Sequence, residues 1–143
     1  MRKAAYGLLE QLYDRCADHI DVDKVVDAVV NQGMADTAEE ILIPNLNILA
    51  RLSQRSGVVV LSRVDAIVAG FDKLFRTNLK LVSSKQSQER AMNIIRASLR
   101  VVYIINVSPE LQEQPAPRFQ DFFRNSVLAN ADSKQMYEKI AAT

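Results

Sequence analysis

Cys16 and His19 are the residues from which a nucleophilic or metal centre would have to be built, because the 143-residue chain holds one cysteine and one histidine. Their spacing of three places them on one side of a helix, as a thiolate–imidazole pair or half of a zinc site would require. Two ligands do not make a structural zinc site, and there is no second imidazole or thiol to complete it. Cys16 falls on the apolar stripe of a predicted helix, where a buried thiol is inert, and it has no partner for an internal disulfide. His19 reads as a capping or surface residue at that helix's end. Acids cluster at Asp21 and Asp23 and again from Asp36 to Glu40. Both clusters fall at predicted helix starts, where the helix dipole favours negative charge, so they read as helix termini rather than metal ligands. The four glycines lie far apart and form no phosphate-binding loop. No catalytic constellation, cofactor site or metal site emerges.

The chemistry left is that of binding. Net charge is only +1, yet residues 1–50 carry four bases against nine acids, a net of −5. Residues 51–100 carry ten bases against three acids, a net of +7, and the last 43 residues four against five. An acidic third beside a basic one suits a partner protein with its own charge pattern, although ordinary solvated helix faces would give the same counts. Direct nucleic-acid binding fits poorly, because a duplex would repel the acidic third. No apolar run approaches the roughly 20 residues of a membrane span, and the amphipathic start is unlike a signal peptide. These features predict a soluble, intracellular chain.

The elements that would carry such a surface are helices throughout. Apolar residues recur at helical spacing between the few glycines and prolines. A first helix is predicted over 2–17, with Ala5, Leu8, Leu9, Leu12 and Cys16 on one stripe. A second opens at Asp21 as N-cap, turns Val22, Val25, Val26, Val29 and Val30 inward and stops at Gly33. A third, 37–55, has Thr37 and Glu40 in capping-box spacing and Pro44 inside it, where a kink is expected. Ser56-Gly57 supplies a turn, and a continuous fourth helix, 58–76, follows with Leu61, Val64, Ile67, Val68, Phe71, Leu74 and Phe75 inward. Residues 77–86 read as a basic loop.

A fifth helix, 87–107, buries Ala91, Met92, Ile95, Leu99, Val102 and Ile105 and turns Arg90, Arg96 and Arg100 to water. Residues 108–116, with Pro109 and Pro115, read as loop. Pro117 begins a sixth helix holding Phe119, Phe122, Phe123 and Leu128, and the three phenylalanines read as core. Asp132 is placed to cap a short last helix ending with Tyr137 and Ile140. The helices pair into hairpins over 2–33, 37–76 and 87–129, followed by the terminal helix at 132–141. Pair starts are about 35 and 50 residues apart, bracketing the periods of helical-hairpin solenoids such as HEAT repeats. The expected fold class is therefore an all-α, HEAT-like superhelix in one domain, exposing a long face of second helices suited to proteins.

The order of residues along the chain is more specific than any one helix. Arg2-Lys3-Ala4-Ala5-Tyr6, with Leu8-Leu9 and Leu12-Tyr13-Asp14, resembles the start of the last repeats of the cullin-associated, neddylation-dissociated family. That segment is also described as a TATA-binding-protein-interacting domain. The likeness continues through Asn47-Ile48-Leu49-Ala50-Arg51-Leu52-Ser53, Val60-Leu61-Ser62-Arg63-Val64-Asp65-Ala66-Ile67-Val68, Gln88-Glu89-Arg90-Ala91-Met92-Asn93-Ile94-Ile95-Arg96-Ala97 and the phenylalanine-bearing 118–123.

The resemblance implies a non-enzymatic HEAT-repeat protein that wraps an unneddylated cullin–RING assembly and promotes exchange of adaptor and substrate-receptor modules. Its C-terminal repeats would hold the cullin's N-terminal region, in cytoplasm and nucleus. The earlier repeats are missing here, so the resemblance implies a C-terminal piece or one part of a split protein, with the other repeats as a possible separate partner chain. An uncapped first hairpin would then expose apolar surface. A generic HEAT adaptor and a transcription-associated interaction module stay open as alternatives. The family motifs transfer no contact residues. Helix geometry instead nominates the polar face of the second helices, Asp23, Lys24, Asp27, Arg63, Asp72 and Lys73, with the loop bases Arg76, Lys80 and Lys85.

Overall fold

Residues 22–30, 39–55, 57–79 and 88–142 are described in a computed structural model of the chain. Expectations for 2–17, Cys16, His19, Gly33 and the Thr37–Glu40 capping box concern residues or side chains outside that set. The described helices are α1 (Val22–Ala28), α2 (Glu39–Arg55), α3 (Gly57–Leu61), α4 (Val64–Leu79), α5 (Gln88–Asn106), α6 (Pro109–Glu113), α7 (Pro117–Phe122) and α8 (Ala131–Ala142), with a π-turn (Phe123–Val127) after α7. No strand occurs among the described residues. The fold is an all-α helical-repeat fold, as its apolar periodicity requires.

Two layers form. In one, α2 packs on α5 and α5 on α8; in the other, α1 packs on α3 and α4 on α7, while α4 also backs α5. Val25, Val26, Val29 and Val30 are buried, as are Leu42, Leu46, Ile48, Leu49 and Leu52 on α2. α2 continues through Pro44 for the whole stretch to Arg55. Next to the proline, buried Asn45 donates its side-chain amide to the carbonyl of Val29 at 3.1 Å, giving a partner to a backbone acceptor just past α1. Neighbouring repeats are thus joined by a directed bond as well as by valine packing.

α5 is covered on several sides. Ile94, Ser98 and Val101 are buried along with the predicted Ala91, Ile95, Leu99, Val102 and Ile105, because α2, α4 and α8 all lie against it. Ser98 solves its burial by donating to the carbonyl of Ile94, and Ser53 does the same toward Leu49. Phe122 joins the second-helix layer. Its ring lies 6.0 Å from Phe71, nearly parallel, and 5.3 Å from Phe75, edge to face.

Six local expectations are corrected. The fourth helix is divided: Ser62 and Arg63 turn between α3 and α4, where the Arg63 amide bonds back only three residues to Val60 and the Ser62 hydroxyl competes for the carbonyl of Val59. Gly57 belongs to α3 and is buried. A Cβ there would lie 2.8 Å from the Glu110 carboxyl carbon, so the glycine permits a close approach of α6. The predicted loop at 77–86 begins later, since α4 runs to Leu79 and buried Asn78 donates to the carbonyl of Leu74.

Residues 109–113 are helix rather than loop: Ser108 accepts from the Leu111 amide as N-cap, and Pro109 occupies the first turn, where its missing donor is harmless. Asn130, not Asp132, caps α8, its side-chain oxygen accepting from the amides of Asp132 and Ser133. Finally, Leu128 is 38% exposed and Val127 fully buried in its stead. The Leu128 amide bonds to the carbonyl five residues back, Phe123, and this widened turn advances the chain by about one residue before it meets the core again.

Candidate protein-binding surface

The nominated second-helix face holds a cross-repeat contact among its described residues. Arg63, presented by the turn between α3 and α4, reaches the Asp27 carboxylate of α1 with two nitrogens, Nε at 2.5 Å and Nη2 at 3.4 Å. A third nitrogen of the same guanidinium donates to the Ser62 hydroxyl at 2.7 Å. The guanidinium hydrogen bond holds the Asp27 carboxyl below its ordinary range. Sequence spacing alone, with the two residues 36 positions apart, gives no hint of this pair. Along α4, Asp72 pairs with Arg76 one turn on at 3.0 Å. Lys73 and Lys24 are exposed. The Asp23 side chain, Lys80 and Lys85 lie outside the described residues. Of the nine nominated residues, the fold therefore brings Asp27 to Arg63 and Asp72 to Arg76, each acid facing a cation of its own chain.

Where α4 meets α7 there is a shallow groove of about 340 Å³ bordered by Asp65, Asp72, Asp121 and Arg118. Asp121 is itself paired with Arg124 at 2.8 Å. Among the described residues acids outnumber bases here, but two of the three acids already have a cation.

The opposite, first-helix layer carries the larger groove, about 440 Å³, between α2, α5 and α8. Ile43 and Asn47 come from α2, Arg96 and Arg100 from successive turns of α5, and Ile140 from α8. A second depression of about 370 Å³, with Met92, Met136, Lys139 and Asp132, shares Arg96 and Ile140 with the first, so the two form one trough. Arg96 donates to the neutral Asn93 side chain at 3.4 Å. Arg100 is exposed, and the ion pairs found among the described residues do not include it. Sequence reading turned both arginines to water but gave them no role. Their four-residue spacing was the available signal. That Asn47 and Ile43, about 50 residues earlier, face them was not legible, because it follows from how two hairpins stack.

Among the described residues no three histidine, cysteine, aspartate or glutamate side chains gather as a metal site, and no helix is long and apolar enough to cross a membrane. What these surfaces offer is a series of exposed helical faces with charged, partly apolar grooves.

Residues 1–126 match the family model described as TIP120, TATA-binding protein interacting (TIP20). The chain belongs to the TIP120 family. Among curated proteins it is similar to the cullin-associated NEDD8-dissociated protein 2 of Rattus norvegicus, 25% identical over 140 residues, covering 98% of this chain and 11% of that protein. The Mus musculus protein 2 gives the same identity and coverage. The cullin-associated NEDD8-dissociated protein 1 of Dictyostelium discoideum is 25% identical over 127 residues, 89% of this chain and 10% of its own length. The chain thus spans about a tenth of these relatives. No solved structure matches it.

The TIP120 match takes in both sides of the Asp27–Arg63 pair and, in the trough, the α2 and α5 walls. It stops before α8, which begins at Ala131 and supplies Ile140 and Lys139. The family-matched part therefore holds the repeats' cross-brace and the two arginines, and α8 closes one side of the trough.

Proposed function

We propose that this chain is a protein-binding HEAT-repeat scaffold, without catalytic activity of its own, that docks on the N-terminal region of a cullin. In that position it would help regulate ubiquitin-ligase assembly by promoting exchange of adaptor and substrate-receptor modules, in both cytoplasm and nucleus. The observation that carries this reading is similarity to cullin-associated relatives along 89% to 98% of the chain. The exposed, charged faces of stacked hairpins support it, since such faces suit an extended protein partner better than a small substrate.

Exchange follows from linkage. If the repeats and the adaptor each weaken the other's hold on the cullin, the coupling is the same in both directions, and either can displace the other. Interferometry with the purified chain and the N-terminal half of a cullin, with and without adaptor, tests the reading. Binding that adaptor competes away is the expected result. Absence of binding by a folded, helical chain would overturn docking by these repeats alone.

The family description favours a second reading, interaction with the TATA-binding protein. Capture of that protein, but not of a cullin, by the immobilised chain would select it.

A further inference from the structure

We propose that the trough between α2, α5 and α8 is a docking groove for an extended acidic segment of a partner protein, with carboxylates seated on Arg96 and Arg100 and intervening apolar residues against Ile43 and Ile140. The proposal rests on the protein-binding reading above, not on the partner being a cullin.

Charge is the first argument. Among the described residues, the joined depressions are bordered by Arg96, Arg100 and Lys139 against one acid, Asp132. On the second-helix face, by contrast, Asp27, Asp72 and Asp121 each hold an arginine. A guanidinium presents a planar fork of donors that matches a carboxylate, so two exposed arginines on one wall are a receptor for two carboxylates.

Spacing is the second. Residues four apart on a helix are separated by about 6 Å along its axis. Alternate residues of an extended peptide recur at about 6.6 Å and point to the same side. An acid–apolar–acid segment lying along α5 therefore offers its carboxylates in register with Arg96 and Arg100 and turns the residue between them toward the α2 wall. Ile43 stands there, with Asn47 one turn on, whose amide can both donate to and accept from a peptide backbone.

The lining also argues against nucleic acid. Its described apolar residues are Ile43, Ala97, Ile140 and two methionines, none of which offers an aromatic face for stacking a base. Two or three cations with an acid among them make a short electrostatic track for a phosphate backbone.

Fluorescence anisotropy with the full chain and a labelled peptide of alternating glutamate and leucine is the direct test. Comparison peptides replace glutamate by glutamine or by lysine, and circular dichroism confirms that each protein variant is folded. The acidic peptide should bind at least about tenfold more tightly than the glutamine peptide, with strong weakening by salt. Arg96→Glu/Arg100→Glu should abolish that preference and transfer it to the lysine peptide, whereas Lys73→Glu should leave it intact. Equal binding of acidic and neutral peptides, or equal loss from Lys73→Glu, overturns the proposal. So does preferential capture of a single-stranded oligonucleotide through the same arginines, or sedimentation showing that a second copy of the chain fills the trough. Peptide binding without cullin binding would uphold the groove and reject the cullin reading; cullin binding that survives Arg96→Glu/Arg100→Glu, with no peptide binding, would do the reverse.

Discussion

The two faces of the stacked hairpins use charge differently. On the second-helix face Arg63 is tied to Asp27, Arg76 to Asp72 and Arg124 to Asp121. On the first-helix face Arg96 has a neutral asparagine beside it, and Arg100 joins none of the ion pairs found among the described residues. A charge paired within its own chain fixes geometry and has little left for a partner. One without a carboxylate keeps its attraction for an incoming anion and does little for folding. The first face is thus the better place to look for binding and the second for what holds the repeats in register.

The core beneath the second-helix face provides the hardest test of that division. Phe122 is buried against both Phe71 and Phe75, so Phe122→Ala should cost about 3–5 kcal/mol, read from urea or guanidinium unfolding. A loss below about 1 kcal/mol would mean that the α4–α7 contact is not a structural join between repeats.

Asn130→Ala removes the cap of α8 and should cost about 1 kcal/mol. Its effect should also reach the first face, because α8 carries Ile140 into the trough and buries Tyr137, whose hydroxyl accepts from Asn106 at 3.0 Å. Desolvation raises the Tyr137 pKa. Below the ordinary tyrosine range, near 10.0, the phenol is neutral both folded and unfolded. As pH rises past it the unfolded chain ionises first and stability falls, so alkaline difference spectroscopy should find Tyr137 ionising only above that range.

A smaller effect is expected of the Asp27–Arg63 pair, which is partly exposed. Because Arg63 lowers the folded-state pKa of Asp27, the pair's contribution is fully present at neutral pH and is lost as pH falls from about the ordinary value of 3.8 through the folded one. Arg63→Met should therefore lower the melting temperature slightly at pH 7, with the difference from the parent shrinking in acid; a pH-independent difference would mean that the side chain acts through packing alone. Smallest of all, Arg96→Ala/Arg100→Ala should leave the unfolding midpoint unchanged. A clear drop would show that these arginines, too, are spent on the fold.

Local patterns in the chain made most helices legible. The valines of α1, the leucines of α2 and Phe71, Leu74 and Phe75 of α4 recur at helical period, and their burial follows from burying one apolar stripe per helix. Pro117 could be read as a helix start because its chemistry there is local. The stretch 108–116 reads as loop although Ser108 caps a helix that Pro109 begins, since the same ring can end one helix or begin another. The division at Ser62–Arg63 was hidden because the apolar pattern runs on across it, while the turn is held by side-chain bonds to nearby carbonyls and to Asp27.

Composition and period by themselves determined an all-α class, and residue order determined the family, because each is written along the chain. Tertiary structure alone decided that α5 is buried on several sides, that Asp27 meets Arg63 and that Ile43 and Asn47 stand across from Arg96 and Arg100. Those facts depend on how one hairpin rotates and slides against the next, and that rotation is set by side chains meeting across repeats rather than by the spacing within any helix.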